Sequence, residues 1–102
     1  MRKNFRTYDL AVAFYRLVSP LKLQRHLKEQ LVRAASSVVL NLAEGAGRTT
    51  KADQARFFSI AMGSLRECQA ILDLAVITDI TVVECADKLA AHLYRLIQSC
   101  QK

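Results

Sequence analysis

The residue types that most often do chemistry are present in this sequence, but their spacing does not assemble a reaction centre. Cys85 and His92 lie seven residues apart, which on one helix gives a shared side but about 10 Å of rise, too far for one metal ion. Glu44 and Glu67 could be imagined as paired carboxylates, yet metal sites in helical bundles use Glu-x-x-His motifs, which this sequence lacks. No serine follows the pattern of a nucleophile elbow. We therefore expect no enzymatic activity, no metal and no cofactor.

The three cysteines favour structural thiols. Cys68, Cys85 and Cys100 form no Cys-x-x-Cys pair, and an odd number suits free thiols in a reducing compartment. Each lies on an apolar stripe, which favours burial. No uninterrupted apolar run approaches the roughly 20 residues that a membrane span needs. These features predict a soluble cytoplasmic protein with no membrane partner.

The remaining chemistry is that of basic side chains, which bind phosphate. The net charge is +6, and residues 1–56 hold eleven Lys and Arg against four Asp and Glu. A polarised positive charge favours a polyanionic partner through counterion release, although an ordinary solubility charge would give the same count. Phe5 and Tyr8 could stack on bases beside these cations, or could simply anchor the first helix. The candidate nucleic-acid-binding residues are Arg2, Lys3, Arg6, Lys22, Arg25, Lys28, Arg33, Arg48 and Lys51.

Four amphipathic helices must position these side chains. Apolar residues recur at helical spacing over about 8–18, 23–43, 51–78 and 82–99. Short connections make sequence neighbours antiparallel. The sequence therefore predicts an all-α, up-and-down antiparallel four-helix bundle, formed by residues 1–102 as one domain. In such a bundle the candidate cations would mark both ends and an outer strip.

Glycines and capping residues predict where the helices begin and end. Gly45 and Gly47 would stop the second helix by supplying a left-handed cap residue. Thr50-x-x-Asp53 and Thr81-x-x-Glu84 would open the third and fourth helices as capping boxes.

The second predicted helix is apolar on two sides. Its core face carries Leu27, Leu31, Ala34, Ala35, Val38 and Leu42. A second stripe holds Val32, Ser36, Val39, Leu40 and Ala43. Because a bundle buries one face of each helix, the second stripe predicts an interface between subunits. The alternative is that the bundle itself covers this stripe.

Residues 37–48, SVVLNLAEGAGR, resemble a known family, together with FRTYDLAVAFYRLV before them and ARFFSIAMGSLRECQAIL after them. This is the bacterial four-helix bundle family associated with intervening sequences of large-subunit ribosomal RNA genes. It is similar, more distantly, to the accessory variability proteins of diversity-generating retroelements. The family's first pattern is matched by Asn41, Ala43, Glu44 and Gly45, followed by Gly47 and Arg48. The second is matched by Phe57, Ala61, Gly63, Ser64 and Glu67.

The resemblance implies an up-and-down bundle that assembles as a cyclic homo-oligomer, commonly a pentamer. It also implies a basic surface used for nucleic acid, or for a reverse transcriptase in the retroelement relatives, and it does not imply catalysis.

The polar motif residues also have structural interpretations. We expect Asn41, Glu44, Ser64 and Glu67 to tie the second and third helices together, because polar groups beside apolar segments need hydrogen-bond partners. Glu44 would accept from amides at the start of the third helix or pair with Arg48 or Arg56. Gly63 is costly in mid-helix, so we expect close approach of another helix there.

Two functions remain open at this level. The first is an oligomeric scaffold that binds structured RNA. The second is a protein-interaction module that ignores nucleic acid.

Overall fold

The computed structural model describes residues 5–101, so Arg2 and Lys3 lie outside the described residues. Four α-helices follow one another along the chain. They are α1 (Arg6–Val18), α2 (Arg25–Ala46), α3 (Lys51–Leu74) and α4 (Ile80–Cys100).

The helices form a four-cornered bundle. Each packs on its neighbours in sequence, and α1 also packs on α4. Within residues 5–101 the diagonal pairs, α1 with α3 and α2 with α4, do not pack on each other. Short connections at 19–24, 47–50 and 75–79 make successive helices antiparallel. The predicted all-α four-helix bundle is confirmed.

The core lies between the four helices and is built from aliphatic and aromatic side chains. Phe14, Leu31, Leu65 and Leu93 are fully buried, one from each helix. Burying a side chain of this size contributes roughly 1.5–3 kcal/mol. On α2 the predicted core face is buried except for Leu27, which is half-buried near the start of the helix.

The predicted left-handed glycine cap at the end of α2 is wrong. Gly45 lies inside the helix, Gly47 has a φ of −88°, and no glycine among the described residues has a positive φ. Gly45 is needed for another reason: a Cβ added there would lie 2.6 Å from Cε1 of Phe58. The glycine lets an aromatic ring of α3 pack directly on the backbone of α2.

The third helix ends at Leu74, four residues before the predicted limit. Val76 adopts a φ of 56°, the N–H of Ile77 donates to the carbonyl of Leu72 at 2.9 Å, and the N–H of Val76 donates to that of Asp73 at 3.1 Å. This is the Schellman arrangement, in which glycine usually holds the left-handed position. A β-branched residue there gives no sequence signal, which is why the end was misplaced.

The two predicted capping boxes have different outcomes. Thr50 is confirmed as the cap of α3, because its side chain accepts from the N–H of Asp53 at 3.1 Å. The box at Thr81 is wrong. Helix α4 begins at Ile80, two residues before the predicted start, and its cap is Asp79, whose Oδ1 accepts from the N–H of Thr81 at 2.9 Å and of Val82 at 3.4 Å.

Candidate nucleic-acid interface

Seven of the nine candidate cations lie within the described residues, and four of them carry an uncompensated charge. Arg6, Lys22, Arg33 and Lys51 are exposed. None of these four side chains has a carboxylate within 4.0 Å in the part of the chain that the structure describes. They are free to meet phosphate groups in solvent.

Arg48 is held in a local cluster. Its Nη2 contacts Oε2 of Glu44 at 2.6 Å and its Nε lies 3.7 Å from Oδ2 of Asp53. The guanidinium also lies over the ring of Phe57, 4.7 Å from the centroid. Arg56 lies over the same ring at 4.4 Å and pairs with Asp53. Glu44 therefore takes one of its expected partners, and Arg48 braces the connection between α2 and α3.

Lys28 and Arg25 are also engaged. Lys28 Nζ donates to the carbonyl of Leu21 at 2.6 Å, which closes the connection between α1 and α2. Arg25 lies 3.7 Å from Glu29, and both side chains are largely exposed. An exposed pair of this kind contributes about 0–1 kcal/mol and exchanges readily with a phosphate.

The candidate cations are divided between the two ends of the bundle. Arg6, Arg48 and Lys51 lie near the end where α1 and α3 begin, whereas Lys22 and Arg25 lie at the opposite end. The molecule is 40 Å long. One copy therefore does not gather the predicted cations into one patch.

A basic strip that the sequence analysis missed runs along the packed pair α1 and α4. Lys88, His92 and Arg95 share one side of α4 at i, i+4 and i+7. An open depression of about 700 Å³ is lined by Arg6, Asp9, Leu10 and Lys88. The spacing on α4 was the available signal. It was hidden because residues 57–102 carry a slight net negative charge as a segment.

The positive charges of this strip affect the pKa of His92. Partial burial lowers the pKa of the imidazole, and the positive charges of Arg95, Arg6 and Lys88 lower it further. A histidine with a depressed pKa is neutral at pH 7. The surrounding field is positive despite the carboxylate of Asp9.

Two serines and an asparagine link α2 to α3. The hydroxyls of Ser37 and Ser64 lie 2.9 Å apart. Asn41 Nδ2 donates to the carbonyl of Ser37 at 2.9 Å and to its hydroxyl at 3.0 Å. Ser37 was not singled out from the sequence, although it joins Asn41 and Ser64.

Two other motif residues face outward. Glu67 is exposed and makes no hydrogen bond or salt bridge with residues 5–101. Gly63 is exposed too, and among residues 5–101 no side chain and no neighbouring helix comes within 4 Å of a Cβ built on it. The expected close approach at Gly63 is therefore wrong within a single chain.

The predicted subunit stripe is partly covered by α1. Val32, Ser36, Val39 and Ala43 are half-buried, whereas Leu40 is 66% exposed. A shallow depression of about 240 Å³ lies between α1 and α2. Its lining residues are Val12, Tyr15, Arg16, Ser36, Val39 and Leu40.

The thiols have different surroundings: Cys68 lies in the core, whereas Cys85 lies on α4 close enough to Lys88 for that positive charge to act on the thiol. Cys68 is fully buried in the core, where desolvation, with a smaller effect of Glu67, raises its pKa to about 12. Partial burial also raises the pKa of Cys85. Within residues 5–101, no group of three His, Cys, Asp or Glu side chains is placed to hold a metal ion. No helix in this range is long and apolar enough to cross a membrane.

The fold and the exposed cations define a small basic helical bundle. Residues 5–102 match the family model described as 23S rRNA-intervening sequence protein. Because the match covers nearly the whole chain, the chain belongs to this family, which confirms the resemblance in the sequence. No curated protein matches the chain.

Proposed function

We propose that this protein is a non-enzymatic scaffold that binds structured RNA and works as a homo-oligomer. The observation that carries the proposal is a set of exposed cations that have no carboxylate partner among residues 5–101, in a chain whose family is described by its link to 23S rRNA intervening sequences. Cations of this kind bind phosphates and release counterions.

The proposed binding mode reads shape and charge rather than sequence. Arg6, Lys22, Arg33 and Lys51 are carried on helices or next to them and project from the bundle. Contacts of this type position a protein on the sugar-phosphate backbone and carry no base information. Double-stranded RNA is bound mostly in this way.

The proposed assembly is a closed ring, and a pentamer is the state that the family resemblance implies. A single copy spreads its cations over 40 Å, whereas a ring repeats each end around one axis and concentrates them. The exposed Leu40 beside the depression between α1 and α2 offers a surface that a second copy would cover.

The test is a fluorescence-anisotropy titration with a labelled RNA hairpin at about 50 mM and 200 mM salt. If four phosphate contacts form, the affinity should fall by about 150-fold over this range. Absence of binding at the lower salt concentration would eliminate the proposal.

A second candidate function is a protein-interaction module without nucleic acid, and one observation favours it. Leu74, Val76 and Ile80 are 71%, 76% and 64% exposed around the connection between α3 and α4. Exposed aliphatic clusters mark protein contacts. A reverse transcriptase is the partner that the retroelement resemblance implies. Purification with a defined protein and no nucleic acid would support this candidate.

A further inference from the structure

Helices α1 and α4, which pack on each other, carry three cations that form no salt bridge with residues 5–101. Arg6 begins α1 and lines a depression with Lys88 of α4, and the charges of Arg95, Arg6 and Lys88 all act on His92. No carboxylate of residues 5–101 lies within 4.0 Å of these three side chains. By contrast, Arg48 and Arg56 are tied to Asp53 and to the ring of Phe57.

The dimensions of the strip suit a nucleic-acid strand. Lys88 and Arg95 are seven residues apart on one helix, a span of about 10 Å. This is the axial length of about three phosphates of one strand. The depression of about 700 Å³ beside Lys88 is open to solvent, and Arg6, Asp9 and Leu10 of α1 also line it.

The charged groups around the strip come from both helices. On α1 they are Arg6 and Asp9, and on α4 they are Lys88 and Arg95, with Glu84 one turn before Lys88. Helix α3 packs on the opposite flank of α4, where Gln69 Nε2 donates to Oδ1 of Asp87 at 3.4 Å. Three cations, Arg6, Lys88 and Arg95, therefore act on His92, against the two carboxylates of Asp9 and Glu84 in the same region.

We propose that Arg6, Lys88, His92 and Arg95 form the track that binds the phosphate backbone of RNA. This proposal rests on the proposed RNA-binding function and adds a track on α1 and α4 to the exposed cations Lys22, Arg33 and Lys51. Lys88 and Arg95 contact phosphates as fixed charges on a rigid helix, and Arg6 closes the track from α1. His92 lies between them and gains a proton when a phosphate approaches.

The role of His92 gives the track a pH dependence with a definite sign. In the free protein its pKa is lowered, so the imidazole is neutral at pH 7. A bound phosphate favours the protonated form and raises this pKa. Affinity should therefore increase as the pH falls from 8 towards 6, by linkage between proton and RNA binding.

The charge test compares three variants in the RNA hairpin titration. Lys88→Glu and Arg95→Glu should each weaken binding and reduce the magnitude of the salt slope by about 1, which is the loss of one phosphate contact. Arg66→Glu is the matched control, since it makes the same charge change on an exposed position of α3, diagonal to α1. Its slope should match that of the wild-type protein. Circular dichroism verifies that all three variants are folded.

The histidine test uses a second matched pair. His92→Gln should lose the gain in affinity at low pH, whereas His26→Gln, an exposed position on α2, should keep it. In an NMR titration of the wild-type protein, saturating RNA should raise the pKa of His92.

The outcomes separate the two proposals. If the wild-type protein binds RNA, but Lys88→Glu and Arg95→Glu weaken binding no more than Arg66→Glu does, the track is refuted while the RNA-binding function stands. An unchanged pKa of His92 in the complex also overturns the track. If the wild-type protein binds no RNA at low salt, both proposals fail together.

Discussion

At the scale of the single residue, Gly45 shows how backbone proximity constrains this bundle. A Cβ at this position would lie 2.6 Å from Cε1 and 2.9 Å from Cδ1 of Phe58. It would also lie 3.1 Å from the Cβ of Phe57, an atom that moves only with the backbone of α3. The helices would have to separate to accept even one methyl group.

Gly45→Ala should therefore lower the free energy of unfolding by about 1–3 kcal/mol, the usual cost of overpacking a core. Gly63→Ala is the control, because open space surrounds Gly63. There the gain in helix propensity should raise stability by about 0.5–1 kcal/mol. Urea denaturation measures both changes. Equal stability of the two variants would show that the contact with Phe58 is not restrictive.

Also at this scale, the ion pairs of Arg48 explain why the basic residues of the sequence alone do not predict the interface. Its charge is shared with Glu44 and Asp53, and no count along the chain reveals that. Lys88 and Arg95 were overlooked for the opposite reason, since acidic neighbours in sequence such as Asp87 and Glu84 mask a cationic side of the helix.

At the scale of the element, the bodies of the helices were predictable and their ends were not. The apolar repeat predicted the core face of α2 because it depends on many side chains together. The end of α3 depends on one backbone conformation, that of Val76. Because tertiary packing can force any residue into this left-handed conformation, the sequence alone does not reveal where α3 ends.

The start of α4 offers a direct test of the observed cap. Asp79→Ala should lower the free energy of unfolding by about 1 kcal/mol, because two N–H groups lose their acceptor. Thr81→Ala should change stability by only a few tenths of a kcal/mol. Thermal or urea unfolding of the two variants measures the difference. A larger cost at Thr81 than at Asp79 would restore the capping box predicted from the sequence.

At the scale of the whole molecule, the division of the cations between the two ends and the exposure of Leu40 both support the proposed ring of subunits. A single copy divides its candidate cations between the two ends of a 40 Å bundle, whereas copies arranged around an axis gather the cations of each end. Leu40 is the best probe of such an assembly, because it is exposed in the single chain. Val39 is less suitable, since it packs against the core and a charge there would damage the subunit itself.

Leu40→Glu should therefore reduce the particle to smaller species while the helix content stays intact. Tyr94→Glu is the matched control, because Tyr94 is an exposed apolar side chain on α4, the helix diagonal to α2. Light scattering and circular dichroism together measure the two properties. A wild-type monomer would refute the ring directly.

The most direct measurement of the central claim is the native mass of the purified particle before and after ribonuclease treatment. If an oligomer binds RNA, the particle should be heavier than its protein subunits alone, whose mass is an integer multiple of 11.4 kDa. Digestion of the RNA should lower the mass to that of the subunits. A mass that ribonuclease leaves unchanged, with no nucleic acid recovered from a particle prepared at low salt, would contradict it.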